Sequence, residues 1–367
     1  MVLTNYWWLL IWIFAVGGTM AISMPKQKEM IYGKQEYRWS WPAVIIVALP
    51  YVIWAATRTD FGDSIAYAKI FKEVPSVISD IPMYLSEHTK DKGFSVLMIV
   101  FKSIFGDSRV RFFFAIAAFQ MFCIVTVFRK YSTNFWISMF IFIASTDYLS
   151  WMQNGMRQFI AVTIIFAGFS LLLEKKYIAL VFLILLASTI HGSALIMLPV
   201  VFIIRGKAFN KKTMMFIVVI VTALFLLDRL TPIMNNLLAD TQYSDLMTNE
   251  IWLNDDGTNI MRVLVYSVPA IMAVIGREYV KSADNPVINL CVNASVLTAF
   301  WYLAAAFSSG IYVGRLPIFI SLYGNLCMPW LIDNIFTKES ARLVKIAMVI
   351  GYLAFFYYQM HITWAIV

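Results

Sequence analysis

The chain has 367 residues, of which 61% are hydrophobic and only 14% are charged, and its formal net charge is +8. A soluble domain carries about 25% charged and roughly 45–50% apolar residues. The composition therefore excludes an ordinary soluble fold and predicts a protein embedded in a bilayer. The basic residues fall in short loops between apolar segments, which indicates membrane topology and argues against a nucleic-acid partner. The three cysteines lie singly in apolar runs, so we predict neither a disulfide framework nor a zinc site.

The apolar segments predict an all-α, polytopic transmembrane bundle of about 12 spans, although several segments are shorter than the roughly 20 residues a span needs. The first segment has no basic flank and no clean cleavage site, which favours a retained span over a signal peptide. No internal repeat divides the chain, so we expect one membrane domain over residues 1–367. The predicted spans are 6–22, 41–57, 112–128, 134–148, 157–173, 177–190, 194–204, 213–228, 262–276, 287–307, 315–332 and 346–364.

The basic loops predict the orientation of the bundle. Each of them follows an odd-numbered span, so the positive-inside rule predicts that both termini lie outside. This orientation requires that residues 93–106 do not cross the membrane. That stretch is short for a span and contains Lys102, which favours an amphipathic or re-entrant segment. Two long loops, 58–111 and 228–262, then lie on the outer face.

The first long outer loop carries candidate catalytic residues. If a helix begins there, Asp63 and Tyr67 lie one turn apart on the same face, and Arg58 precedes them at the membrane boundary. A carboxylate near an arginine favours phosphate binding beside a general base, although helix capping by Asp63 or Ser64 explains the same pattern. Glu87 is a second candidate base, unless its loop is only a solvated surface.

Two polar turns interrupt apolar runs that are too short to hold two full spans. Asn154, Arg157 and Gln158 form the first turn, and His191 lies in the second. Polar residues at such depth are costly unless they are paired or face a polar cavity. We therefore expect a site beneath the outer surface. The alternatives are a structural pair between Arg157 and Asp147, and an interhelical hydrogen bond of His191.

Arginines on the predicted outer face indicate the chemistry of the substrate. Arg262 and Arg315 open late spans from that face, where the positive-inside rule does not favour arginine. A guanidinium binds phosphate or carboxylate oxygens through two parallel hydrogen bonds, so we expect an anionic, diphosphate-bearing substrate. Snorkelling to lipid phosphates is the alternative, and it is strongest for Arg229 and Arg262.

Motifs of other enzyme classes do not occur in the sequence. It has no Walker A loop, GxSxG elbow or HExxH helix, so ATP-driven transport and protease chemistry gain no support. Asp255 and Asp256 form a lone, turn-like acidic cluster. We therefore predict no metal site and no cofactor.

Five motifs occur in order along most of the chain. They are Arg58…Asp63…Tyr67…Phe71, Lys92-Gly93-Phe94, Asn154-x-x-Arg157-Gln158, Phe182…His191-x-Ser193-Ala194-Leu195, and Arg315 at a late span. This ordered set resembles the EpsG family of Wzy-type polysaccharide polymerases, whereas the loop 228–262 has no counterpart in the resemblance. Each motif is weak alone, and the resemblance rests on their order and spacing.

The resemblance implies a glycosyltransferase of the cytoplasmic membrane with its active site on the outer face. Such a polymerase joins oligosaccharide repeat units, carried on undecaprenyl diphosphate, into extracellular, capsular or O-antigen-type polysaccharide. The implied partners are a lipid-diphosphate-linked donor and acceptor, membrane lipids, and a chain-length regulator and flippase of the same pathway. A membrane O-acyltransferase and a lipid-linked oligosaccharide transporter are the alternatives, although a transporter would predict internal symmetry that the sequence lacks.

The same resemblance suggests roles for the candidate residues. Asp63 is expected to deprotonate the acceptor hydroxyl, with Glu87 as the alternative base, and His191 with Gln158 is expected to orient the acceptor. The residues expected to contact the substrate are Arg58, Tyr67, Asn154, Arg157, Gln158, Arg262 and Arg315.

Overall fold

The computed structural model describes residues 4–24, 26–31, 34–58, 62–152, 154–226, 257–308, 310 and 313–364. Contacts divide the chain into two compact units. The first is Met1–Leu195 with Ala347–Val367, and the second is Ile196–Ile346. The described elements are helices apart from one two-stranded hairpin, which agrees with the predicted all-α class. The single membrane domain stays a prediction.

The first unit contains twelve α-helices among its described residues, together with the second part of the helix Lys338–Tyr357. The twelve are α1 (Thr4–Trp12), α2 (Gly18–Ser23), α3 (Trp41–Thr57), α4 (Ser64–Glu73), α5 (Ile81–Glu87), α6 (Lys92–Phe105), α7 (Arg109–Tyr131), α8 (Phe135–Ala144), α9 (Asp147–Trp151), α10 (Met156–Ala167), α11 (Phe169–Leu173) and α12 (Tyr177–Ile190). A π-helical turn, Ile13–Gly17, joins α1 to α2. The local sequence determines where several helices begin. The Asn134 side chain, for example, accepts a hydrogen bond from the Ile137 amide and caps α8.

The second unit is built on three helices that pack against one another, α15 (Ile260–Ile275), α17 (Pro286–Ala306) and α18 (Ile318–Ile335). Asn293, which is fully buried on α17, donates hydrogen bonds to the carbonyl oxygens of Ile204 and Lys207 at 2.9 and 3.0 Å. Asn293 thereby supplies hydrogen-bond donors to two carbonyl oxygens, one at the end of α13 and one just after it. The described helices of this unit are α13 (Met197–Ile204), α14 (Lys211–Phe225), α15 (Ile260–Ile275), α16 (Arg277–Ala283), α17 (Pro286–Ala306), α18 (Ile318–Ile335) and the first part of α19 (Lys338–Tyr357).

The predicted spans overlap helices, but the helix lengths do not confirm about 12 crossings. Among the described residues, the stretches long and apolar enough to cross a membrane are Tyr6–Ser23, Arg109–Tyr131, Pro286–Ala306 and Lys338–Thr363, with a fifth if the bent pair α15–α16 is one span. The shorter apolar helices have 10–17 residues. At 1.5 Å per residue they reach roughly 15–25 Å, whereas the hydrocarbon core is about 30 Å thick.

The basic stretch after the first span folds as a β-hairpin, which the all-α prediction did not include. Strand β1 (Gln27–Ile31) pairs antiparallel with β2 (Lys34–Arg38). Arg129, near the end of α7, donates a hydrogen bond to the Gln27 side chain at 3.1 Å and forms an ion pair with Glu29. These partners are about a hundred residues apart in sequence, so local periodicity does not reveal the hairpin.

The part of the first unit that carries the predicted outer-loop residues has an aromatic core. Tyr67 and Phe71 from α4 pack with Phe94 from α6 and Phe112 from α7, and all four are buried. The rings of Phe71 and Phe112 stack with their centroids 4.3 Å apart. Burying such a side chain stabilises the fold by roughly 1.5–3 kcal/mol, so this cluster fixes α4 and α6 against α7.

Lys102 explains how a charged residue fits within the apolar segment that forms α6. Its buried Nζ donates hydrogen bonds to the carbonyl oxygens of Phe71, Lys72 and Val74 at 3.2, 2.7 and 2.8 Å. These carbonyls lie at the C-terminal end of α4, where a helix lacks internal donors and favours a cation. Lys102 therefore holds α4 against α6. That this segment stays on one side of the membrane remains a prediction.

Candidate functional site

The helix predicted at Asp63 is present, and the polar turn at Asn154 holds its start. Helix α4 begins at Ser64, directly after Asp63. The Asp63 amide donates a hydrogen bond to Asn154 Oδ1 at 2.8 Å. Gly62 has a positive φ of 50°, and a β-carbon there would overlap the Asn154 side chain. Two segments predicted separately from the sequence thus meet, and glycine is required where they meet.

Asp63 and Tyr67 lie one helical turn apart, as predicted. The Tyr67 amide donates to the Asp63 carbonyl at 2.9 Å. The Asp63 side chain is exposed and makes no capping hydrogen bond, so the capping alternative does not account for its carboxylate. Tyr67 is buried, and its ring lies beneath the Arg157 guanidinium at 5.8 Å from the ring centroid.

Arg157, in the first turn of α10, interacts with two carboxylates and one tyrosine side chain. Its Nη1 donates to Asp91 Oδ2 at 2.8 Å, and the guanidinium also hydrogen-bonds the Tyr67 side chain and interacts with the Asp63 charge. The carboxylate that pairs with Arg157 is therefore Asp91. The Arg157 side chain remains 37% exposed, whereas Asp91 is only 10% exposed.

Asp91 also contacts His191, so one carboxylate contacts both the Arg157 guanidinium and an imidazole. Its Oδ2 lies 3.4 Å from His191 Nδ1. Asp91 precedes α6 with a positive φ of 49°, and His191 directly follows α12. A left-handed backbone at a residue other than glycine costs free energy and tends to mark functional positions. The Arg157–Asp91–His191 cluster is the polar centre of this region.

Close packing at Gly93 brings the two sides of the cluster together. A β-carbon on Gly93 would lie 2.8 Å from the backbone carbonyl carbon of Thr189. No real β-carbon approaches a backbone atom so closely, so only glycine lets the start of α6 contact the end of α12. Gly93 is two residues from Asp91, and Thr189 is two residues from His191.

A cavity of about 410 Å³ opens beside the cluster. Its polar lining combines carboxylates, cations and aromatic rings within the first unit. Such a concave site with a few convergent polar groups is the usual form of a ligand pocket. The lining residues are Tyr67, Ile70, Glu73, Tyr84, Glu87, His88, Thr89, Lys90, Asp91, Phe94, Ser95, Met98 and Arg157.

A comparison with protein families identifies the family of the chain that carries this site. The model of the EpsG family matches residues 42–364, nearly the whole chain. The chain belongs to the EpsG family. The resemblance predicted from the ordered motifs is thereby confirmed, and the EpsG match together with the apolar helices indicates a membrane protein of polysaccharide biosynthesis. Neither the curated proteins nor the solved structures compared with the chain gave a match.

The remaining candidates of this EpsG protein lie in different surroundings. Arg58 is buried, donates to the Tyr6 hydroxyl at 2.9 Å and lies 5.1 Å from the Trp54 ring centroid, so it helps to hold α1 against α3. Gln158 is buried on α10, and Glu87 ends α5 and lines the cavity. Their predicted roles in substrate binding or catalysis stay predictions.

Two predicted substrate contacts belong to the second unit. Arg262 lies in the first turn of α15, and Arg315 ends the short turn Val313–Arg315 that precedes α18. Their roles also stay predictions. Residues 227–256, which include Arg229 and most of the predicted second outer loop, lie outside the described residues. Among the residues the structure describes, no group of three His, Cys, Asp or Glu side chains could hold a metal ion.

Sequence reasoning missed Asp91, although it named the segment in which Asp91 lies. The sequence favours Glu87 as the acidic candidate of that segment. The available signal was the position of Asp91 just before Lys92-Gly93-Phe94, where a carboxylate commonly opens a helix. Its partners are 66 and 100 residues away, so no local pattern indicates that Arg157 and His191 converge on it.

Proposed function

We propose that this EpsG protein is the polymerase that joins undecaprenyl-diphosphate-linked repeat units at the outer face of the cytoplasmic membrane. The observation that carries the proposal is the Arg157–Asp91–His191 cluster, in which a cation, a carboxylate and an imidazole lie together, and of which Arg157 and Asp91 line the cavity. Glycosyl transfer from a lipid diphosphate needs a cation for the departing diphosphate and a base for the acceptor hydroxyl.

Arg157 is suited to bind the diphosphate of the donor. A guanidinium carries five N–H donors in a planar fork, and Asp91 and Tyr67 engage only part of it. The side chain is more than one-third exposed, so donors remain for phosphate oxygens. Asp91 and Tyr67 hold the fork in place before the substrate arrives, which reduces the ordering cost of binding.

His191 is our preferred base for the acceptor hydroxyl. Asp91 Oδ2 faces Nδ1, which favours the tautomer whose Nε2 is free to accept a proton. The 3.4 Å separation is long for a hydrogen bond, but catalytic hydrogen bonds are often long before the substrate binds. Asp63, the base predicted from the sequence, is the second candidate because its charge interacts with Arg157.

The proposed step balances as a direct glycosyl transfer. The acceptor hydroxyl oxygen attacks the anomeric carbon of the donor sugar, and its proton passes to His191. The bond between that carbon and the diphosphate oxygen breaks, and undecaprenyl diphosphate leaves with the bonding electrons. The cluster thereby gains one positive charge while the leaving group gains negative charge, so the charges compensate at the moment of bond breaking.

Reconstitution of the full chain in lipid vesicles with lipid-diphosphate-linked repeat units tests this function. Separation of the products by size should give a ladder that steps by one repeat unit. Folded protein that yields no ladder from authentic substrate contradicts the proposal. Transfer of labelled acetyl groups to the repeat unit would identify an O-acyltransferase instead.

A further inference from the structure

Helices α4 and α5 supply the cavity with carboxylates that the catalytic cluster does not use. Glu73 ends α4 and Glu87 ends α5, and both line the cavity together with Asp91. Asp91 is engaged by Arg157 and His191. In contrast, the Glu87 side chain forms no ion pair or hydrogen bond with any residue the structure describes.

The lining has carboxylates at Glu73, Glu87 and Asp91 and cations at Lys90 and Arg157, and the part formed by Glu73 and Glu87 disfavours a diphosphate. Among the described residues, the Glu73 carboxylate forms an ion pair only with Lys69, at 3.9 Å, and both side chains are mostly exposed, so the pair is weak. Glu73 and Glu87 therefore offer lone pairs that need donors, and a carboxylate accepts hydrogen bonds without donating any. A diphosphate would bring more acceptors and more negative charge. A ligand with several hydroxyl groups would supply the missing donors.

Aromatic rings give the same cavity flat apolar surfaces. The rings of Tyr84 and His88 stack with centroids 4.0 Å apart and planes inclined by 7°, and His88 Nδ1 lies 3.1 Å from the Tyr84 carbonyl oxygen. Tyr67 and Phe94 meet edge to face, with centroids 5.9 Å apart. Burial, and then the nearby charge of Glu73, raises the pKa of Tyr84, so its hydroxyl stays neutral.

The combination of stacked rings and exposed carboxylates matches the chemistry of a sugar, which presents hydroxyl groups at its rim and C–H groups on its faces. We propose that this cavity binds the acceptor sugar, as a neutral or amino sugar whose hydroxyls face Glu73 and Glu87 and whose ring packs on Tyr84 and His88. The inference rests on the proposed function. It assigns the sugar to the cavity and leaves the diphosphate to the exposed part of Arg157.

Binding without turnover tests the assignment. Purified full-length protein in detergent is titrated with two probes: the repeat-unit oligosaccharide released from its carrier by mild acid, and farnesyl diphosphate, which has a diphosphate but no sugar. The variants are Glu87→Gln, which removes only charge at an exposed position, and Tyr84→Ala. The matched controls are Glu278→Gln and Tyr279→Ala on α16, where both side chains are exposed.

We expect Glu87→Gln and Tyr84→Ala each to raise the Kd for the oligosaccharide roughly tenfold and to leave the Kd for farnesyl diphosphate unchanged. The α16 variants should bind both probes as the wild type does. The inference is overturned if the wild type does not bind the oligosaccharide or if the cavity variants bind it normally. It is also overturned if those variants weaken the binding of farnesyl diphosphate instead.

Failure of this inference is distinguishable from failure of the proposed function. A product ladder with oligosaccharide binding that does not depend on the cavity would refute the sugar site and keep the polymerase. Cavity-dependent sugar binding without a ladder would keep the sugar site and refute the polymerase.

Discussion

At Asp91 the backbone adopts a conformation that disfavours a side chain, with φ at 49°. The left-handed region costs a residue with a β-carbon roughly 1–2 kcal/mol, although Asp and Asn tolerate it best. Glycine would avoid the cost but would leave Arg157 and His191 without their shared carboxylate. The ion pair at 2.8 Å and the contact at 3.4 Å offset the backbone cost, which is why an aspartate can occupy this position.

The fork shape of Arg157, and not only its charge, should matter for transfer. Arg157→Lys keeps the positive charge but cannot contact Asp91, Tyr67 and a phosphate together, because an ammonium is a point charge without a planar fork. We expect the initial rate of polymer synthesis to fall roughly 10- to 100-fold, which corresponds to about 1.4–2.7 kcal/mol in the barrier. Arg342→Lys, an exposed site on α19, is the control and should change the rate less than twofold. A wild-type rate for Arg157→Lys would rule out the fork as the diphosphate ligand.

At the scale of elements, the contact between α6 and α12 determines whether the cluster forms. Gly93→Ala would place a β-carbon 2.8 Å from the Thr189 backbone, so the helices must separate and Asp91 must move away from His191. We expect loss of polymer synthesis together with a lower Tm in detergent. Gly351→Ala is the matched helical control because nothing lies within 4 Å of its position, and it should be neutral or slightly stabilising. Full activity of Gly93→Ala would show that the close approach is not needed.

Local sequence predicted the helices better than it predicted their partners. The bounds predicted for the second and sixth spans coincide with α3 and α12, because apolar runs with clear polar ends define a helix without tertiary information. The hairpin at Gln27–Arg38 was missed because Arg129 stabilises it from about a hundred residues away. The pairing of Asp91 with His191 was missed for the same reason. Candidate residues could therefore be named from local motifs, whereas their geometry could not.

At the scale of the whole molecule, the distribution of basic loops makes a prediction about sidedness. Met83, on α5, and Tyr279, on α16, are both exposed and lie in loops predicted on opposite faces. The native cysteines are buried, so background labelling should be low. A membrane-impermeant maleimide should label Met83→Cys in intact cells and Tyr279→Cys only after permeabilisation. Labelling of both positions in intact cells would contradict the predicted orientation.

Helix length limits how the chain can be arranged in a bilayer. The described residues contain four stretches able to span it alone, or five with the bent pair, and several shorter apolar helices cannot do so. A short helix that ends inside the membrane must have polar groups or a cavity at its end. Helix α12 ends directly before His191, and Arg157 is the second residue of α10. The shortness of these helices and the position of the cluster are thus consistent with each other.

The most direct test of the account is a double-mutant cycle between Asp91 and His191 on the initial rate of polymer synthesis in reconstituted vesicles. If Asp91 acts by orienting His191 as the base, Asp91→Asn and His191→Gln should each slow transfer by roughly 10²-fold or more. The double variant should then be about as slow as the slower single variant, because residues that act as a unit are not additive. Losses that multiply in the double variant, or a wild-type rate for either single variant, would contradict the central claim that the Arg157–Asp91–His191 cluster performs the transfer.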